Sequence, residues 1–229
     1  MQKPYQIISF PNNQALAQAA TVAILDRAKQ AIAQTGQFKL VLAGGSTPNL
    51  IYQMLSQVDA DWDKWWIFWG DERCLPVDDS ERNSLMAQQA WLDKVAIPTA
   101  QIFPISAEQG AEAGAENYEK IVANYLPFDM VLLGMGEDGH TASLFPGQIH
   151  NENELTHAVY NSPKPPSERV SISAKALSDT TQLLFLISGA GKLEAFKAWQ
   201  QGADLPVAQI KPKNGIEIYA DYATLGEVI

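Results

Sequence analysis

The chain has 229 residues, 46% hydrophobic and 18% charged, with a formal net charge of −10 and a single cysteine, Cys74. That length builds a sizeable core, and without a low-complexity break we expect one domain over residues 1–229. The charge disfavours nucleic acid and anionic membranes as partners. One cysteine excludes an internal disulfide, no apolar run approaches the roughly 20 residues that span a bilayer, and Met1-Gln2-Lys3-Pro4-Tyr5 lacks a leader's apolar core. The expectation is a cytoplasmic protein without nucleic acid, membrane or obligate protein partner.

In chain order, Gln6 to Phe10 reads as a strand and the alanine-rich Asn13 to Gln34 as a helix, with Gly36 as its C-cap. Lys39 to Ala43 is a second strand. It ends in Leu42-Ala43-Gly44-Gly45-Ser46-Thr47-Pro48-Asn49, before a helix over Thr47 to Ser56. Two glycines, two hydroxyls and a proline suited to a first helical turn leave backbone N–H groups free at a helix N-terminus, which suits phosphate; an ordinary strand-to-helix turn is the plainer reading. No Gly-Lys-Ser/Thr follows, so this is not a Walker loop. The aromatic strand Trp65 to Gly70 runs into Asp71-Glu72-Arg73, more charge than solubility requires at a sheet edge. Arg73 is a candidate for polarising a carbonyl or holding an anion, against a solvated turn with an internal ion pair. The tryptophans read as core and wall, and Cys74 as a small packed residue. Ser84 to Lys94 and Ala107 to Leu126 read as helices.

The apolar strand Asp129 to Leu133 is followed by Gly134-Met135-Gly136-Glu137-Asp138-Gly139-His140-Thr141-Ala142-Ser143-Leu144-Phe145-Pro146-Gly147. A glycine-rich loop at the C-terminal edge of a buried strand lies where open α/β sheets place their ligands. Histidine titrates nearest neutrality, so His140 is suited to accept and return a proton, and Asp138 is placed to fix its tautomer. The stiff loop Ser162-Pro163-Lys164-Pro165-Pro166-Ser167-Glu168 leads into a strand over Arg169 to Ser173 and holds Arg169 in a defined place. Thr181 to Ser188 is a strand leading through Ser188-Gly189-Ala190-Gly191-Lys192 into a helix over Gly191 to Gln200. A cation in a first helical turn opposes the helix dipole, which a bound anion would explain. Gly215 to Ala220 closes the series. This alternation predicts an α/β fold with an open, mainly parallel sheet flanked by helices on both faces, Rossmann-like. His140, His150 and His157 lack a convincing ligand set, so neither metal nor cofactor is expected.

Together these motifs resemble the 6-phosphogluconolactonases of the glucosamine-6-phosphate isomerase/6-phosphogluconolactonase superfamily, over nearly the whole chain. The resemblance runs from Ala43-Gly44-Gly45-Ser46-Thr47-Pro48 through Gly70-Asp71-Glu72-Arg73 and Gly136 to Gly147 to Ser188-Gly189-Ala190-Gly191-Lys192, with Ser162 to Pro166 before Arg169. It implies hydrolysis of 6-phospho-D-glucono-1,5-lactone to 6-phosphogluconate, with His140 as general base, Asp138 orienting it and Arg73 stabilising the oxyanion. Gly44, Gly45, Ser46, Thr47, Arg169 and Lys192 are expected to hold the phosphate, and the role of Asp71 is left open.

The deaminase branch of the same superfamily is the nearest alternative. That branch carries a glutamate five residues after the histidine and an Asp-Glu-Tyr type triplet, where this chain has Phe145 and Arg73. An apolar ring cannot relay a proton, which removes the deaminase acid/base partner. A non-enzymatic phosphosugar sensor is a further alternative; it would often carry an added DNA-binding segment, and the chain begins almost at its first strand.

Overall fold

The computed structural model describes residues 5–226. Residues 1–4, read above for a leader, lie outside that range, as do residues 227–229. The strands are β1 (Gln6–Phe10), β2 (Phe38–Leu42), β3 (Trp65–Trp69), β4 (Asp71–Arg73), β5 (Ile102–Phe103), β6 (Phe128–Gly134), β7 (Thr156–Val159), β8 (Arg169–Ile172), β9 (Thr180–Ile187) and β10 (Ile216–Asp221). The helices are α1 (Asn13–Thr35), α2 (Ser46–Leu55), α3 (Asn83–Ala90), α4 (Ala111–Tyr125), α5 (Ala174–Ser178), α6 (Leu193–Gln200), α7 (Pro206–Gln209) and α8 (Tyr222–Leu225).

Seven strands form one open sheet in the order β1-β10-β9-β6-β2-β3-β5. Every pairing in it is parallel, so the expected mainly parallel sheet is wholly so, with helices on its faces. The central strand β6 is buried over six of its seven residues, as a strand covered on both faces must be. From β2 the chain builds outward through β3 and β5, then returns to lay β6 on the other side of β2. The strand order therefore reverses between β2 and β6, and a crevice opens there at the C-terminal ends, the usual ligand position in such sheets.

Local chemistry explains the covering helices. Asn12 caps α1, its side chain accepting from the Ala15 N–H at 2.9 Å, and Gly36 ends the helix at φ 78°. Leu16, Ala20, Ile24, Ala28 and Ala31 make its buried stripe. The helix expected over Ala107 to Leu126 is divided, because Gly110 at φ 95° separates a 3₁₀ turn, Ala107–Gln109, from α4. Likewise the helix expected over Ser84 to Lys94 ends at Ala90, where Trp91 leaves helical geometry.

A second sheet was not expected. Strand β4 pairs antiparallel with β8, and β8 with β7, so Asp71-Glu72-Arg73 is a short strand and not a charged turn. It is joined to the large sheet at Gly70, whose N–H donates to the Leu42 carbonyl while its own carbonyl accepts from the Ile172 N–H. Trp65, Trp69 and Trp91 are fully buried, in keeping with core and wall.

Candidate active site

Six chain segments meet in an open cleft of about 370 Å³ at the C-terminal edge of the large sheet. They are the β2–α2 turn, the β3–β4 junction, the start of α3 at Asn83, the loop after β6, the proline loop with the start of β8, and the turn after β9. Gly44, Gly45, Ser46, Thr47, Asp71, Arg73, His140, Arg169 and Lys192 all line it. Asp138 stands behind the His140 ring instead of on the cleft wall.

The loop after β6 is folded back on itself. The Gly136 N–H donates to the His140 carbonyl at 2.8 Å, the Gly139 N–H to the Gly136 carbonyl at 3.1 Å, and the Val207 N–H pins the Gly139 carbonyl from α7. Within it His140 Nδ1 lies 2.5 Å from Asp138 Oδ1, which also accepts the His140 N–H at 3.2 Å. A carboxylate accepts at Nδ1, so the Nδ1–H tautomer is selected and the lone pair is left on Nε2. A Cβ on Gly136 would stand 2.0 Å from His140 Nδ1 and 2.6 Å from Asp138 Oδ1, so the pair fits only over a glycine.

Burial holds His140 below the ordinary histidine value of 6.5, with the hydrogen bond and charge of Asp138 acting the other way. Burial alone would raise Asp138, but hydrogen bonds from the His140 ring and backbone outweigh it and leave the carboxyl below its ordinary value. At neutral pH the pair is therefore a neutral imidazole beside a carboxylate.

Asp71 is 7% exposed and held from two sides. Its Oδ2 accepts from Ser143 Oγ at 2.6 Å, and Asn83 Nδ2 donates to its carbonyl at 3.0 Å and to Oδ1 at 3.2 Å. Asn83 in turn is fixed by Glu72, a fully buried carboxylate that accepts from the Asn83 and Ser84 N–H groups at 2.8 Å each and pairs with Arg82 at 3.5 Å. Glu72 thus serves as the cap of α3 from a neighbouring strand.

The cations gather opposite. Helix α2 starts at Ser46 behind Gly45, with no side-chain cap, so its first N–H groups face the cleft. The Thr47 hydroxyl donates to Asn13 Oδ1 at 2.6 Å, which ties α2 to α1 and leaves the backbone as the donor there. Arg73 and Arg169 are direct partners across the β4–β8 pair. Like charges facing across a strand pair repel. Arg73 donates through Nη1 to the Glu81 carbonyl, while its buried Nε has no partner. Arg169 donates through Nε to the Pro166 carbonyl at 3.2 Å and through Nη2 to those of Lys164 and Pro165, each at 3.0 Å. Burial holds Lys192 below the ordinary lysine value, the charge of Glu137 opposing that effect.

Three lining or supporting residues escaped the sequence reading. Lys164 lines the cleft from the proline loop, where its position between prolines was the only signal. Ser143 lay within the glycine-histidine motif without a role. Asn83 carried no sequence signal, because its contact with Asp71 is made across eleven intervening residues. Among the described residues no group of three or more His, Cys, Asp or Glu is arranged to hold a metal, and no helix is long and apolar enough to cross a membrane.

Comparison with known proteins bears on these groups. The family model described as glucosamine-6-phosphate isomerases/6-phosphogluconolactonase matches residues 11–219. A 6-phosphogluconolactonase from Synechocystis sp. is 37% identical over 200 residues, covering 83% of this chain and 82% of that protein. The solved 6-phosphogluconolactonase of Trypanosoma brucei superposes with a TM-score of 0.87 at 27% identity, covering 99% of each chain. A monomeric glucosamine-6-phosphate deaminase superposes with a TM-score of 0.85 at 20% identity over 96% of this chain and 99% of its own, a likeness of fold alone.

Proposed function

This chain belongs to the glucosamine-6-phosphate isomerase/6-phosphogluconolactonase family, and from that membership we propose that it hydrolyses 6-phospho-D-glucono-1,5-lactone to 6-phospho-D-gluconate in the cytoplasm, within the oxidative pentose phosphate pathway. The observation that carries the reading is the Asp138–His140 pair, its free Nε2 on a cleft walled by Arg73, Lys192 and the open N-terminus of α2.

His140 Nε2 takes a proton from a water as the water oxygen bonds to the lactone carbonyl carbon, and the carbonyl oxygen becomes an alkoxide. Arg73, a cation on the cleft wall, is the donor for that alkoxide. As the tetrahedral centre collapses, the bond from carbon to ring oxygen breaks. The imidazolium returns its proton to that oxygen, opening the ring to the acid. Asp138 keeps the imidazole in its working tautomer throughout.

The phosphate, remote from the reacting carbon, sits against Gly44, Gly45 and the N–H groups of Ser46 and Thr47, with Lys192 and Lys164 supplying charge. Arg169 adds positive potential from a guanidinium already anchored to three carbonyls. Binding of this remote group positions the lactone for attack. Asp71, fixed by Ser143 and Asn83, offers its remaining lone pairs to a sugar hydroxyl or to the attacking water. Phe145 packs on the His140 ring at 4.7 Å between centroids, so no acid stands there to relay a proton as a deaminase requires.

The test is hydrolysis of freshly generated 6-phosphogluconolactone, corrected for its spontaneous opening. We expect a large acceleration by the protein and a loss of about 10²- to 10⁴-fold in His140→Asn with the fold intact. No acceleration by the parent protein overturns the function, and acceleration retained in the variant overturns His140 as the base.

A further inference from the structure

Arg169 lines the cleft with a guanidinium that is already anchored on one side. It is 5% exposed, and two of its three guanidinium nitrogens donate to consecutive carbonyls of the proline loop. The guanidinium also stands over the Phe145 ring, its carbon 5.7 Å from the ring centroid. Phe145, 3% exposed, packs in turn against the His140 imidazole at 4.7 Å and 40° between planes. A continuous path therefore runs from the carbonyls of Lys164, Pro165 and Pro166 through Arg169 and Phe145 to His140, and ends on the ring face that Asp138 does not control.

We propose that Arg169 and Phe145 are positioning residues for His140: Phe145 is the platform that fixes the plane of the imidazole, and Arg169 holds that platform and the Lys164 loop in one arrangement. Two restraints are then needed to place Nε2. The hydrogen bond that His140 Nδ1–H donates to Asp138 fixes the tautomer but leaves the ring free to swing about the Nδ1 contact, and Phe145 removes that freedom. A planar cation is attracted to the face of an aromatic ring, and the same guanidinium reaches three carbonyls from there. The same packing keeps water from one side of the imidazole. Burial is the first cause of its depressed titration, and the charged groups facing it are Asp138 on its own loop, Asp71 on β4 and Lys164 on the proline loop.

The test reads His140 directly. The chain has three histidines, so ring signals in isotope-labelled protein are assigned by comparison with His140→Asn, and the His140 titration is followed in the parent, Phe145→Leu, Phe145→Tyr and Arg169→Lys. The proposal expects the midpoint to rise toward 6.5 in Phe145→Leu and Arg169→Lys and to stay at the parent value in Phe145→Tyr, which restores a ring. Binding of inorganic phosphate, measured by calorimetry, is expected to be little changed in Arg169→Lys. An unmoved His140 midpoint in Arg169→Lys, with phosphate binding weakened tenfold or more, overturns the proposal in favour of a direct anion ligand. Should Phe145→Leu not fold, Arg169→Lys against Phe145→Tyr still decides it. The consequence for rate rests on the lactonase reading: kcat is expected to fall roughly 10- to 100-fold with KM little changed. A shifted titration in a protein that never hydrolyses the lactone sinks that reading and leaves the positioning intact.

Discussion

At the residue scale the site depends on one absent atom. Gly136 lies under the His140–Asp138 pair so closely that a methyl group there would overlap both partners. Gly136→Ala is therefore expected to lower kcat by about 10²-fold, the cost of misplacing a catalytic group by about 1 Å, with the melting temperature near that of the parent. Steady-state kinetics beside a thermal melt check this, and equal activity would show that the loop relaxes without moving Nε2. The glycines and the histidine of this loop were legible in the sequence because each has a conformational or chemical signature. The function of Phe145 was legible only as the lack of an acid, since ring packing against His140 and Arg169 depends on segments that meet only in the fold. Arg169 was read as a phosphate ligand held by a stiff loop; which carbonyls its donors reach is a property of that loop's path and is not written in the sequence.

At the scale of elements, Glu72 shows how a buried charge organises a neighbouring helix. It caps α3 from β4, pairs with Arg82, and thereby holds Asn83 where it grips Asp71. Glu72→Ala strips the cap and leaves the Asn83 and Ser84 N–H groups without an acceptor, while Arg82 keeps Glu108 at 2.9 Å. The expected loss is about 2–4 kcal/mol, a drop in melting temperature of roughly 4–16 °C for a chain of this length. Calorimetry or a circular dichroism melt checks it, and a drop of a degree or two would mean that water replaces the carboxylate. The parallel strands were legible because central strands read as unbroken apolar runs, β6 most clearly. The small sheet was not, since β4 is three charged residues and β7 is Thr-His-Ala-Val, neither of which alternates or stands out as apolar. Their pairing is set by the neighbouring buried strand β8, a tertiary effect that overrides local preference.

At the scale of the whole molecule, the histidines link stability to acidity. Burial holds both His140 and His150 below 6.5 in the folded chain. The unfolded chain therefore takes up their protons first, so the stabilisation is full above 6.5 and is lost as pH falls through the folded-state values. Melting temperature is expected to decline on acidification below 6.5, with a shallower slope in His150→Asn; an unchanged slope would remove His150 from the account. The parallel sheet itself has a broader implication. The cleft collects residues from Leu42 to Lys192, and the two ends of that span reach each other only after β6 has been laid between β2 and β9. A partly assembled chain owns every side chain needed and no working arrangement of them. Turnover per milligram is in consequence a census of finished molecules, and a refolding experiment followed by catalysis would time the last strand into place and not the first.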